Sequence, residues 1–170
     1  MSERVALLVG MDTDVLQQCF DERVTYTPGA RSLVQTMVRD GAHTVLVSGG
    51  FTFFTSRVSE WLGFKVNKAN VLGIEGGHLT GKVEGDIVNA DTKKQTPESI
   101  AADLDLKASE IVAVGDGAND IPMIDAAGLG AAFHAKPKAR DAADFAINHT
   151  NLAALLFVQG YSRDEFVADR

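Results

Sequence analysis

The segment Ile111-Val112-Ala113-Val114-Gly115-Asp116-Gly117-Ala118-Asn119-Asp120 constrains this chain more than any other. Its apolar start, with two valines, predicts a buried strand, and Gly115 and Gly117 then allow the backbone to turn sharply beside Asp116. In an open α/β sheet ligands bind in the crevice beyond the carboxyl ends of the strands. Asp116, Asn119 and Asp120 therefore stand where a metal or a phosphate would be handled. Ile121 to Ala127 follows as a short helix whose Pro122 suits a first turn. A dinucleotide loop would read G-x-G-x-x-G, but Asp120 occupies the third glycine position and Asp116 lies inside the loop. Carboxylates facing a pyrophosphate would repel it unless a cation lay between them, so the loop favours a Mg²⁺-assisted phosphate site. The plainer alternative is an acidic turn after a strand.

A chain of 170 residues fits one domain with one core, burying about two thirds of the surface its unfolded form exposes. Its 16 basic and 23 acidic residues leave a net charge of −7, which opposes nonspecific binding to nucleic acid or anionic membrane. The lone Cys19 excludes an intrachain disulfide, agrees with a reducing cytosol, and is expected as a small apolar residue on a helix face. The apolar run Val5 to Val9 is too short to span a membrane and leads to Asp12 and Asp14 rather than a cleavage site, so a cytoplasmic protein is expected.

Along the chain, Arg4 to Val9 is ambiguous between strand and helix, and Asp14 to Phe20 predicts a short helix. Thr27 can cap a helix begun by Pro28, with Ala30, Leu33, Val34, Met37 and Val38 at helical spacing up to Gly41. Thr44 to Val47 predicts a buried strand ending in Ser48-Gly49-Gly50-Phe51, followed by a helix from Phe54 to Leu62 stopped by Gly63. Val71 to Ile74 against Leu79 to Val83, joined through Gly76-Gly77, predicts a hairpin outside the α/β alternation. Thr96-Pro97 can start the next helix; Leu129 to Phe133 and Phe145 to Ile147 predict strands flanking a helical turn at 139–143, and Leu152 to Val158 a final helix. The alternation implies an α/β fold, a parallel sheet with helices on both faces plus the small hairpin. Of the histidines, His43, His78, His134 and His149, none pairs at a metal-ligand spacing, and His134 is expected to be structural.

Ser48 with glycine amides behind it, Lys93, and the Asp116 to Asp120 loop together make a phosphoryl-transfer set: a hydroxyl and N–H groups for oxygens, an ammonium for charge, a carboxylate for Mg²⁺. Singly, Ser48 could be a turn residue and Lys93 a solvated lysine. Val45-Leu46-Val47-Ser48-Gly49-Gly50-Phe51, Lys93 and Gly115-Asp116-Gly117-Ala118-Asn119-Asp120, in their spacing, resemble the second, third and fourth motifs of the phosphoserine phosphatase branch of the haloacid dehalogenase superfamily. The likeness extends to Leu79-Thr80-Gly81, Gly85-Asp86-Ile87-Val88, Ala126 to Gly130 and His134-Ala135-Lys136-Pro137, and Pro97 departs from the helical sequence usual there. It implies a Rossmann-like core and Mg²⁺-dependent hydrolysis of a small phosphomonoester, L-phosphoserine, to L-serine and phosphate through an aspartyl-phosphate, a step of serine biosynthesis. By position it implies that Ser48 and Gly49 bind phosphate, Lys93 neutralises it, Asp116 ligates the metal, Asn119 touches phosphate or substrate, and Asp120 holds Lys93 or metal-bound water.

In that family the nucleophile and general acid are the aspartates of D-x-D-x-[ST] at the end of the central strand. Residues 4–30 instead resemble the end of the cap and the return to the core, which places the first motif and the central first strand before Met1. The expected organisation is a cap or return remnant over 1–27, a phosphatase core over 28–160 and a polar tail over 161–170. Asp12-Thr13-Asp14 reproduces D-x-D, but Leu16 stands where the family has Thr or Ser. Three readings stay open: a phosphoserine phosphatase core without its nucleophile, a capless phosphatase using Asp12 and Asp14, and an inactive phosphate- or Mg²⁺-binding module. Oligomeric state is not legible in these residues.

Overall fold

The computed structural model describes residues 2–168. In chain order its elements are α1 (Ser2–Ala6), α2 (Asp14–Arg23), α3 (Ala30–Arg39), β1 (Val45–Phe51), α4 (Thr52–Leu62), β2 (Val66–Glu75), β3 (His78–Glu84), α5 (Ala90–Asp103), β4 (Val112–Gly115), α6 (Ile121–Ala126), β5 (Leu129–Phe133), α7 (Pro137–Ala142), β6 (Phe145–Ile147) and α8 (Ala154–Val158). They fall into two compact units. The first takes the residues up to Tyr26 with Thr44–Val88, the second Thr27–His43 with the residues from Asn89 onward.

In the first unit β1 runs parallel to β2, and β2 antiparallel to β3. α4 is the crossover that parallel neighbours require, and Gly63, at φ 90°, ends it in a left-handed conformation that costs glycine little. Gly76 and Gly77, at φ 57° and 83°, supply the two left-handed residues of a tight hairpin turn. The hairpin expected outside the alternation is thus joined to it, because β2 serves as both hairpin arm and parallel partner of β1. Arg4 to Val9 resolves as α1 followed by a turn, with Val5 buried against Leu16, Leu72 and Leu79. Met11 and Gly10 clasp Leu79 by backbone hydrogen bonds, fixing this segment on β3.

The second unit pairs β4, β5 and β6 in parallel, with α6 and α7 as crossovers. Its core gathers Leu33 of α3, Ala131 of β5, Ile147 of β6 and Leu155 and Leu156 of α8. The described residues therefore hold two apolar clusters where one core was expected. The hairpin with α1 and α2 buries enough leucine and valine for a cluster of its own. Strands expected as buried are only partly so, Val45 to Val47 among them, and β1 and β4 lie at the edges of their sheets among the described residues.

Other expectations shift at the element ends. Gly29 rather than Thr27 precedes α3: it has φ 78°, and a Cβ there would stand 2.6 Å from both the Asn151 side chain and the Ala153 nitrogen. β1 starts at Val45 rather than Thr44 and ends in Ser48-Gly49-Gly50-Phe51 as expected. α5 starts at Ala90, capped by Asn89, whose side chain accepts the Thr92 N–H at 2.9 Å, so Pro97 lies inside the helix. Cys19 is exposed rather than packed. Residues 161–168 are not a loose tail: Val167 receives the Ser32 hydroxyl (2.7 Å) and donates its N–H to Thr36 Oγ1 (2.9 Å), and Phe166 packs on the core.

Thr36 is fully buried, so Thr36→Val, which keeps the shape and removes the acceptor, is expected to destabilise the chain by about 1 kcal/mol. Urea unfolding measures this, and amide exchange at Val167 should rise with it; an unchanged Val167 exchange rate would show that the hydroxyl does not hold the segment.

Candidate functional site

β4 ends at Gly115, and the loop to α6 carries Asp116, Asn119 and Asp120. Asp120 turns its carboxylate back over this loop. Oδ2 accepts the N–H groups of Asp116 (3.1 Å) and Gly117 (3.0 Å), and Oδ1 accepts Lys93 Nζ from the first turn of α5 at 2.6 Å. A Cβ on Gly115 would collide with the Asp120 side chain, and one on Gly117 would stand 2.7 Å from Asn119 Oδ1. Neither glycine has positive φ. The backbone bends at Asp116 and Gly117 as expected, but without positive φ, so the loop needs the glycines for space.

Asp120 is only 4% exposed and Lys93 is buried too, so the lysine is not one of the solvated ones. Burial pushes the Asp120 carboxyl up, but the bonds from Lys93, Gly117 and Asp116, with the lysine charge, outweigh it and hold it below the ordinary carboxylate value. Pro97 adds a feature at the same place. It has no N–H to give the Lys93 carbonyl, four residues earlier, and the Thr96 hydroxyl reaches back to the Thr92 carbonyl at 2.7 Å.

Asp116 and Asn119 are exposed, and the Asp116 carboxylate accepts no hydrogen bond among the described residues. Its carbonyl is held by the Lys136 N–H at 3.0 Å, from the loop after β5. In that loop His134 has φ 44°, and its ring Nε2 lies 2.8 Å from the Thr150 carbonyl, a structural arrangement as expected. The second unit thus brings Lys93, Asp116, Asn119 and Asp120 onto one loop and the helix beside it.

Ser48 and Gly49 belong to the first unit. Val47 pairs with Lys68 and Phe51 with Asn70, so Ser48, Gly49 and Gly50 face the single residue Ala69 and bulge from the ladder. Ser48 Oγ accepts the Gly50 N–H at 3.0 Å. Asn70, which the sequence reading passed over, donates to the carbonyls of Gly49 (2.8 Å) and Gly50 (3.1 Å) and accepts the Val88 N–H (2.8 Å). An asparagine inside a strand, where that residue is depleted, was the available signal.

Asp12 and Asp14 also lie in the first unit. No strand ends at Asp12: it forms an isolated bridge with His78, and its Oδ1 accepts the Asp14 N–H at 2.9 Å at the start of α2. That is a helix-entry turn rather than a strand-end pair of carboxylates.

The haloacid dehalogenase-like hydrolase family profile matches residues 2–125. A phosphoserine phosphatase of Streptomyces coelicolor is 46% identical over 165 residues, 97% of this chain and 40% of that protein. One of Idiomarina loihiensis is 42% identical over 92% of this chain and 70% of that protein. The chain belongs to the phosphoserine phosphatase branch of the haloacid dehalogenase-like hydrolases. A solved structure of this branch, a substrate-bound phosphoserine phosphatase complex, is 36% identical with a TM-score of 0.87, covering 92% of this chain and 74% of that one. The chain spans less than half the length of the Streptomyces coelicolor relative.

In this branch member the Lys93–Asp120 pair is open to a direct test. Asp120→Asn leaves the buried ammonium without its counter-charge and is expected to cost about 3–5 kcal/mol. Lys93→Met with Asp120→Asn should cost less than the two single changes added, as a urea-unfolding double-mutant cycle reads. Because the folded carboxyl value is depressed, the stabilisation is present above the unfolded value of about 3.9 and lost as pH falls through the folded one. The gap between wild type and Asp120→Asn should therefore close in acid; a gap constant from pH 7 to pH 3 would contradict the pairing.

Proposed function

We propose that this chain provides the phosphate-handling part of a phosphoserine phosphatase, hydrolysing L-phosphoserine with water to L-serine and phosphate. The observation that carries the reading is the buried Lys93 ammonium, fixed by Asp120 at 2.6 Å on the loop that also bears a free carboxylate. A lysine held this way keeps its place. Two of its three N–H donors remain for phosphoryl oxygens, which it neutralises.

Each other residue has one task in this reading. The Ser48 hydroxyl and the Gly49 amide bind phosphoryl oxygens, and Asn119 orients phosphate or the serine moiety. Mg²⁺ fits Asp116: the carboxylate is unengaged, whereas both oxygens of Asp120 are taken. No cluster of three His, Cys, Asp or Glu groups occurs among the described residues, which suits an ion that keeps several waters and binds through one or two carboxylates plus substrate phosphate. Bound there, the ion supplies charge neutralisation on the phosphoryl group. We place the reaction in the cytoplasm, with a small phosphomonoester as the partner. No helix among the described residues is long and apolar enough to cross a membrane.

A second reading, phosphate and Mg²⁺ binding without turnover, is favoured by the helix-entry geometry of Asp12 and by the lack of any D-x-D-x-[ST] in these 170 residues. Phosphate release from L-phosphoserine with Mg²⁺, alongside phosphate titration, separates the two. Under the first, the chain turns over only when joined to a strand bearing D-x-D-x-[ST]; there Lys93→Ala lowers turnover by about 10²–10³-fold and Asp12→Asn leaves it unchanged. Binding with no turnover even when so joined selects the second, and turnover by the chain alone that Asp12→Asn abolishes would give the nucleophile to the capless reading. A wild-type chain that neither releases nor binds phosphate overturns both.

A further inference from the structure

The Ser48-Gly49-Gly50 bulge has no ladder partners of its own, because three residues of β1 face Ala69 alone. A bulge of this kind could settle in several ways, and Asn70 selects one. Its carboxamide, 1% exposed, spends both N–H donors on the carbonyls of Gly49 and Gly50 and accepts the Val88 N–H.

Every peptide bond here is trans, so a carbonyl and the next N–H point in opposite directions. Drawing the Gly49 carbonyl toward Asn70 turns the Gly50 N–H away from it, where it meets Ser48 Oγ at 3.0 Å. Drawing the Gly50 carbonyl the same way turns the Phe51 N–H away as well. Successive amides and a hydroxyl are thereby aimed to one side, the arrangement in which backbone N–H groups hold an anion. The hydroxyl accepts from Gly50, so its own proton is left for a phosphoryl oxygen. Gly50 also keeps this side clear, since a Cβ there would lie 3.2 Å from Ser48 Oγ.

We infer that Asn70 is the positioning residue of the phosphate cradle: it never touches the ligand, and it sets the direction of the Gly50 and Phe51 amides that stand beside the Ser48 hydroxyl and the Gly49 amide. The inference rests on the reading of Ser48 and Gly49 as phosphate binders. An aspartate in its place keeps the size and the acceptor for Val88 but has no donor, and sets a carboxylate against two carbonyl oxygens. A residue that only fills space would alter stability alone.

The test is a titration of the 170-residue chain with inorganic phosphate, followed through the amide resonances of Ser48 to Phe51 well below the unfolding temperature. In wild type these amides should move on phosphate addition. In Asn70→Asp the Gly50 and Phe51 resonances should be displaced before phosphate is added, and affinity should fall by about tenfold, the worth of one good hydrogen bond to a charged acceptor. Should Asn70→Asp not fold, Asn70→Ser, with one shorter donor, carries the same comparison. Variant chains that bind phosphate as tightly as wild type overturn the role of Asn70 and leave the proposed function standing. Wild-type amides that phosphate does not move overturn the cradle itself, and the role of Asn70 with it.

Discussion

The buried ion pair between Lys93 and Asp120 is the interaction on which the second unit's chemistry depends. Removing two charges from water is costly, and their attraction offsets this only when the remaining donors and acceptors are satisfied. Here the carboxylate meets that condition with three donors, the lysine and two backbone N–H groups of its own loop. The pair therefore does more than join α5 to the loop after β4: it holds the loop closed over Gly115 and Gly117, where any larger residue would strike Asp120 or Asn119. With Asp120 fully engaged, Asp116 is left as the carboxylate with free oxygens. A division of labour between the two aspartates follows from hydrogen bonding alone.

The first unit solves a similar problem without charge. Its bulge would leave backbone carbonyls without ladder partners, and one buried carboxamide pairs them. In both units a polar side chain folded back on the main chain decides where backbone N–H groups point. In the second unit Gly115 makes room for that side chain: its φ is ordinary, and a Cβ there would collide with Asp120.

Much of this was legible beforehand for physical reasons. The α/β alternation, the Gly76-Gly77 hairpin and the Gly63 stop follow from periodicity and from positive-φ demands that few residues meet. The Ser48, Lys93 and Asp116 to Asp120 motifs stood out because their residue types suit one chemistry. What sequence hid depends on contacts distant along the chain. Thr27-Pro28 signals a helix start as well as Gly29 does until Asn151 is placed beside the glycine. Pro97 reads as a beginning because local rules place proline in first turns, yet the Asn89 cap starts α5 earlier and the helix runs through it. Asn70 carried no motif, and Ser162 to Val167 read as part of a polar tail because Ser32 and Thr36, which hold Val167, lie on a helix far upstream.

The central claim is that Lys93, locked by Asp120, is the cation that meets a phosphoryl group. The most direct measurement is nitrogen-15 NMR of the Lys93 ammonium during titration with inorganic phosphate and Mg²⁺. The account predicts a slowly exchanging Nζ–H signal at neutral pH, lost in Lys93→Met, that shifts as phosphate saturates the chain. A protected signal that stays fixed while phosphate binds would contradict it, and would leave the pair a purely structural clasp.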